Sequence, residues 1–301
     1  MKNGSIKNSC CLLLTAFVWG VAFVAQSVGM DYMGPFSFNG GRSLLGCLVL
    51  LPLVCYRRRK AWREGVQLPE GKITWIGGIS CGLVLCAASL CQQIGIQYTT
   101  VGKAGFITAL YIVIVPIMGI FLKKRVQGKV WIAAVVAAVG MYLLCMRERL
   151  VLSRGDTWVF VCAVLFSVHI LVIDYFSPKA DGVEISCIQF LTAGVICSLG
   201  ALILEKPTPE VFLAGIVPLA YAGIMSSGVG YTLQIVGQKN MNPTVASLIL
   251  SLESVFSALA GWVILRQILS PRELLGCVLV FGAVILVQLP DKRPQKEEND
   301  G

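Results

Sequence analysis

One carboxylate stands in the apolar run PTVASLILSLESVFSALAGWVIL, which extends from Pro243 to Leu265: Glu253. A helix rises about 1.5 Å per residue, so Glu253 lies roughly 15 Å in from Pro243. That is near the middle of a hydrocarbon core about 30 Å thick. An ionisable group at that depth costs about 2.5–3.5 kcal/mol or more, so it faces a cavity or a partner. Three kinds of chemistry are open to it. It can exchange a proton, pair with a cationic group on a ligand, or donate a structural hydrogen bond to nearby backbone.

Other polar or aromatic residues interrupt apolar runs in the same way. Arg42 falls early in the run that begins at position 35. Its stem can snorkel to the interface, or its head can bind an anion or gate a cavity. If it faces inward it needs a carboxylate, and Glu253 and Asp31 are the candidates. Trp19, beside Gly20, either packs or offers a flat wall with one N–H donor. His169 and Asp174, five apart, fall on adjoining faces of one helix, and histidine titrates near neutral pH. Gln92, Gln93 and Gln97 cluster at the end of a third run, with Tyr111 on the fourth; Gln93 and Gln97 share a face. Ser227, Tyr231 and Gln234 raise the same alternatives further along, a binding role or hydrogen bonds between helices.

The same inventory excludes other chemistry. The chain has one histidine and 12 cysteines in 301 residues, nearly all the cysteines lie in apolar runs, and no CxxC occurs. No metal site is expected, no cofactor is expected, and the thiols read as small apolar side chains. A membrane-embedded enzyme, such as a lipid-modifying transferase, would need paired acids, a histidine beside a nucleophile, or metal ligands at depth. No phosphate-binding G-x-x-x-x-G-K-[ST] appears, so direct ATP drive is not expected. The formal charge of +9 could suggest nucleic acid, but the basic residues sit at the ends of apolar runs, so no nucleic-acid partner is expected.

The elements that must position these residues follow from composition. Hydrophobic residues make up 56% of the chain and charged ones 14%, against about 25% in a soluble domain. The spacing predicts an all-α integral membrane protein with ten transmembrane helices, near 9–28, 35–56, 73–94, 103–122, 130–146, 156–174, 184–204, 211–231, 243–265 and 272–289. Lys2 and Lys7 before the first run resemble a signal peptide, but the run continues to Val28, so an uncleaved span is expected. YRRRKAWREG reads as a loop, and the tail 291–301 as polar and disordered. Lysine and arginine gather in alternate connections of the first half: Lys2, Lys7, YRRRKAWREG with Lys72, and KKRVQGK, against Lys103 alone on the other side. That asymmetry puts both termini in the cytoplasm. The segment Arg147–Arg154 runs against the pattern. Gly78 and Gly82 in GGISCG permit close helix approach, within the chain or in a homodimer, the former being expected.

The two halves resemble each other. An offset of 142 puts Gln92 on Gln234, Gly95 on Gly237, Ala104 on Ala246, Leu110 on Leu252 and Val113 on Val255. Upstream, an offset of 147 puts Trp19 on Phe166 and Arg42 on Gln189. The reading is a first repeat over 1–146 and a second over 147–290. Five spans is an odd number, so the second copy is inverted, an arrangement that places binding sites near the midplane between repeats.

Four stretches carry a family resemblance: AFVWGVAFVAQ in span one, GIQYTTVGKAGFITALYIVIVPIMGIFL in spans three and four, LFSVHILVID in span six, and NPTVASLILSLESVFSALAGWVILRQILSPRELLGCVLVFGAVIL in spans nine and ten. With them the chain resembles the drug/metabolite transporter superfamily, in its EamA-type branch of ten-span proteins. The family commonly shows Glu-Pro where this chain has Glu253-Ser254, so the resemblance carries the acid but no helix break. It implies an exporter or exchanger of small metabolites or drug-like compounds in the cytoplasmic membrane, in contact with lipid. Its cavity would be lined by both repeats and include Trp19, Arg42, Gln93, Gln97, Tyr111, His169, Gln189, Tyr231 and Glu253, with protons as the coupling ion if Glu253 titrates. A sensor or scaffold is the competing class, and a signalling domain would mark it.

Overall fold

In lipid every backbone N–H and C=O must find its partner inside the protein, which leaves apolar runs of this length the helix. The computed structural model describes residues 2–67, 69–99, 101–123, 126–145, 153–265 and 269–289, and every regular element among them is helical. Arg147, Arg149 and the tail 291–301 lie outside the described residues. In chain order the helices are α1 (Lys2–Gly29), α2 (Pro35–Glu64), α3 (Gly71–Ile96), α4 (Val101–Thr108), α5 (Tyr111–Phe121), α6 (Gly128–Cys145), α7 (Arg154–Phe176) and α8 (Gly182–Leu204). Short helices α9 (Pro209–Ala214) and α10 (Ile216–Ala220) follow, then a π-helical stretch Tyr221–Tyr231 and α11 (Thr232–Gln238). The chain closes with α12 (Pro243–Leu250), α13 (Leu252–Leu265) and α14 (Pro271–Gln288). Among the described residues nine helices are long and apolar enough to cross a membrane, and Gly128–Leu144 is a shorter apolar one. The protein is an all-α, multi-pass membrane protein.

Three expectations need correction. The basic stretch YRRRKAWREG is not a loop: α2 runs on through Glu64, because its residues are good helix formers, and stops where Gly65 takes the left-handed conformation (φ 64°). The eighth crossing is displaced to Ile216–Gln238 from the expected 211–231. Gly215 ends the short helix before it, and Gln234 and Gln238 are buried in protein, so that stretch needs less hydropathy than a lipid-facing one. Span nine does break, without a proline after Glu253. The hydroxyls of Ser247 and Ser251 donate to the carbonyls of Thr244 (2.9 Å) and Leu248 (2.7 Å), and Ser254 N–H reaches back only three residues to Ser251 O (3.2 Å). Span four breaks in the matching place, with three-residue bonds from Leu110 N to Ile107 O (3.1 Å) and from Ile112 N to Ala109 O (3.0 Å).

The crossings can be numbered one to ten, with α4–α5 as the fourth, Ile216–Gln238 as the eighth and α12–α13 as the ninth. Crossing two packs on seven, four on nine and five on ten. Three packs on six as one packs on eight, three on seven as two on eight, and one on nine as four on six. Replacing each crossing by the one five places along maps these contacts onto one another.

The pair α2–α8 is tied at both ends. Arg57 bonds Asp181 at 2.6 Å, and Arg58 forks onto Glu184 at 2.7 and 2.9 Å. At the other end α2 has Gly34 as N-cap and no capping side chain of its own. Glu205, just past α8, supplies the cap, accepting from Phe36 N (2.8 Å), Ser37 N (2.7 Å) and Ser37 Oγ (2.5 Å). A Cβ on Gly34 would sit 2.4 Å from that carboxyl carbon, so the carboxylate would have to shift to admit one. Gly78 and Gly82 let α3 approach α8, meeting Ile188 and the backbone at Gln189, so their close packing is intramolecular.

Candidate functional site

The two helix breaks place two side chains face to face. Tyr111 opens α5 and Glu253 is the second residue of α13, and the Tyr111 hydroxyl donates to Glu253 Oε1 at 3.1 Å. At the offset of 142 they are counterparts, so the bond joins matching points of the two halves. Glu253 is 5% exposed and forms no ion pair among the described residues. Its helix is held close by α1: a Cβ on Gly20 would lie 2.7 Å from Glu253 O.

The third contribution comes from the π-helical stretch. In such a stretch residues five apart are stacked along one face, so Ser226 and Tyr231 both reach inward. Trp19 Nε1–H donates to Ser226 O (3.4 Å), and its ring lies 4.5 Å from that of Tyr231, tilted by 52°. Together with Arg42, Phe23, Gln26, Gln92, Thr108, Phe166, Ile170, Gln234 and Leu250, these residues wall one cavity. The cavity between them measures about 40 Å³, counted by where the centre of a water molecule can sit. A water needs roughly 10–15 Å³ on that measure, so a few waters fit. A metabolite enters only if the walls part.

Arg42 is 4% exposed, enclosed by protein rather than snorkelling to an interface. Its guanidinium lies 6.0 Å from the Phe38 ring centroid, and its Nε finds no acceptor. Neither carboxylate considered for it is within ion-pair distance: Glu253 is bonded to Tyr111, and Asp31 is exposed. The cavity therefore holds a cation and an acid on its wall that are not paired with each other.

Of the residues singled out in the sequence, Trp19, Arg42, Gln92, Tyr111, Tyr231, Gln234 and Glu253 meet at this cavity. Gln93, Gln97, His169, Asp174, Gln189 and Ser227 do not line it. Gln97 caps α3 and is exposed. Gln93 is fully buried, but one residue along a helix turns the side chain by about 100°, and it is Gln92 that faces the space. His169 and Gln189 bond each other (3.2 Å) behind Tyr231, whose ring centroid is 6.1 Å from that of His169. The single-residue reading missed Gln26, Thr108, Phe23, Ile170, Ser226 and Leu250. The repeat offsets contained a signal for several of them. Trp19/Phe166 and Phe23/Ile170 are counterparts at 147, and Gln92/Gln234, Thr108/Leu250 and Tyr111/Glu253 at 142. Both members of all five pairs line the cavity.

Among the described residues no group of three or more metal-ligating side chains forms. The decisive comparison is with known sequences: the signature of the EamA-like transporter family matches residues 7–146 and 153–289. This chain belongs to the EamA-like transporter family. An "Uncharacterized transporter" of Archaeoglobus fulgidus is 30% identical over 279 residues, covering 92% of this chain and 84% of that one. The chloroplastic "WAT1-related protein At3g02690" of Arabidopsis thaliana is 22% identical over 96% of this chain and 71% of its own. "Protein PecM" of Dickeya dadantii is 25% identical over 59% of this chain and 61% of its own. A solved crystal structure, 17% identical, shares the fold with a TM-score of 0.75, covering 93% of this chain and 96% of that one. As a member of the family this EamA-like protein is a membrane transporter.

Proposed function

We propose that this EamA-like transporter moves a small metabolite by alternating access and couples the movement to protons at Glu253. The observation that carries the reading is the cavity wall. Five pairs of matching residues contribute to it, and the acid at its centre is bonded to its own counterpart, Tyr111. The halves, residues 1–146 and 147–290, act as inverted copies related by a pseudo-two-fold axis through that bond. The contact pattern that survives exchange of the halves supports this. Two such halves rocking about a fixed centre open the cavity to one side and then the other. The small free volume fits a nearly closed stage of that cycle.

Glu253 supplies coupling because a buried carboxyl needs a partner, and Arg42, the cation on the wall, forms no ion pair with it. It takes a proton or a cationic group, and competition between the two ties one flow to the other. The protein sits in the cytoplasmic membrane with both termini inside, an orientation supported by the basic cluster Arg57–Arg63 at the end of α2. Export or exchange is the direction of transport.

The test is counterflow. Liposomes containing the full chain are loaded with an unlabelled metabolite mixture and presented with each labelled compound in turn. Transient accumulation of at least one compound, absent from empty liposomes, is the expected result. A chain that is folded and inserted but moves none of a panel of amino acids, organic acids, amines, sugars and nucleosides is not such a transporter.

A further inference from the structure

Helix α2 is longer than a membrane crossing needs to be. Its 30 residues span about 45 Å, against a hydrocarbon core of about 30 Å. The apolar part gives way after Cys55, and Arg57, Arg58, Arg59, Lys60 and Arg63 follow in the last turns. Three of these are already engaged: Arg57 with Asp181, Arg58 with Glu184, and Lys60 at 3.8 Å from Glu64. Arg59 and Arg63 are exposed and form no ion pair among the described residues. Four apart on a helix, they share a face.

Helix phase says what that face meets. At about 100° per residue, Leu48, Pro52, Cys55, Arg59, Trp62 and Arg63 fall within one sector of about 100°. Leu48, Pro52 and Cys55 are exposed side chains of the apolar run, so this sector is the one turned to lipid. The opposite side carries Leu50, Val54 and Ala61, which are buried, and Arg57 and Arg58, which reach α8. Helical side chains lean toward the helix N-terminus, and α2 runs toward this membrane face. Arg59, Trp62 and Arg63 therefore lean back onto the headgroup layer instead of out into water. Trp62 is 85% exposed, and the interface is where an indole finds both an apolar bed for its ring and a partner for its N–H.

We propose that Arg59, Arg63 and Trp62 form a binding site for an anionic phospholipid at the membrane face where α2 ends. The two guanidinium groups hold the headgroup phosphate, and the indole lies against the glycerol and the first acyl carbons. A guanidinium takes two phosphate oxygens in one plane. A phosphate with no cation of its own suits two unpaired arginines, whereas the ammonium of a choline headgroup repels them. Free phosphate would satisfy the charges alone. The continuity of the site with the acyl-facing stripe, and the bare indole between the arginines, favour the lipid.

Lipid retention tests this. The purified full chain in detergent is mixed with equal amounts of phosphatidylglycerol and phosphatidylcholine of the same acyl chains, and the lipid it carries is counted by native mass spectrometry. The wild type should retain phosphatidylglycerol about fivefold or more over phosphatidylcholine. Arg59→Gln with Arg63→Gln should bring that ratio below about twofold, while Arg59→Lys with Arg63→Lys should keep part of it. Lys72→Gln with Lys123→Gln removes the same charge from the connections at the same membrane face and should leave the ratio near the wild-type value. A preserved thermal transition shows that each variant is folded. Equal retention of both lipids by the wild type, an unchanged ratio in the double glutamine variant, or an equal loss in the Lys72 and Lys123 variant overturns the proposal. Sodium phosphate that strips the lipid where sodium chloride of equal ionic strength does not would assign the arginines to free phosphate and overturn it too. None of these readouts depends on which solute the protein carries, so the transport reading stands or falls separately.

Discussion

Tyr111 and Glu253 hold corresponding positions in the two halves, yet one is a neutral donor and the other an acid. In their 3.1 Å bond the phenol donates and the carboxyl oxygen accepts. Tyr111→Phe keeps the ring and deletes the donor. A buried polar group left unsatisfied costs about 1–3 kcal/mol, so the variant should melt several degrees below the wild type while keeping its oligomeric state. An unchanged melting temperature would mean the bond does not hold the broken helices together. Which residues the sequence could reveal follows from contrast. Glu253, Arg42, Trp19, Tyr111 and Tyr231 stand out because a charge or a large polar-tipped ring in an apolar run needs a reason. Phe23, Ile170 and Leu250 do not stand out, because an apolar side chain facing a cavity has the same composition as one facing lipid. Gln92 and Gln93 illustrate a finer loss: they are adjacent and chemically identical, and only the helix phase decides which one meets the cavity.

Among the elements, discontinuities are what bring the side chains inward. Spans four and nine each divide at the cavity, and span eight loosens into π-helical turns where it passes Trp19. None of these was legible as a break. No proline follows Glu253, and the division depends on serine hydroxyls bonding to preceding carbonyls, a choice serine makes only in context. The ends of α2 were equally obscure, because its basic C-terminal turns look like a loop and its N-terminal cap comes from Glu205, which lies 169 residues from Phe36 in the chain. That capping carboxylate makes α2 and α8 one mechanical unit. Glu205→Ala should cost about 0.5–2 kcal/mol, the range for lost N-caps, and lower the melting temperature accordingly. Glu205→Gln, which retains one acceptor oxygen, should recover part of the loss. If neither variant shifts the transition, α2 is held by its packing alone.

At the scale of the molecule, composition, span length and internal offset already described a ten-helix membrane protein, and the family match assigns it to the EamA-like transporters. Hydropathy was a sound guide there because lipid imposes one solution on every crossing. It misplaced span eight, where buried glutamines replace apolar residues inside the protein. The central claim is that the two halves move a solute through the shared cavity and that Glu253 links the movement to protons. The most direct measurement is flux in proteoliposomes under an imposed pH gradient, for the wild type beside Glu253→Gln, using a solute shown to exchange by counterflow. The wild type should concentrate the solute against its gradient, while the variant should lose that accumulation even if it still exchanges solute for solute. Equal accumulation by both proteins would contradict the account, leaving Glu253 a structural residue and the coupling elsewhere.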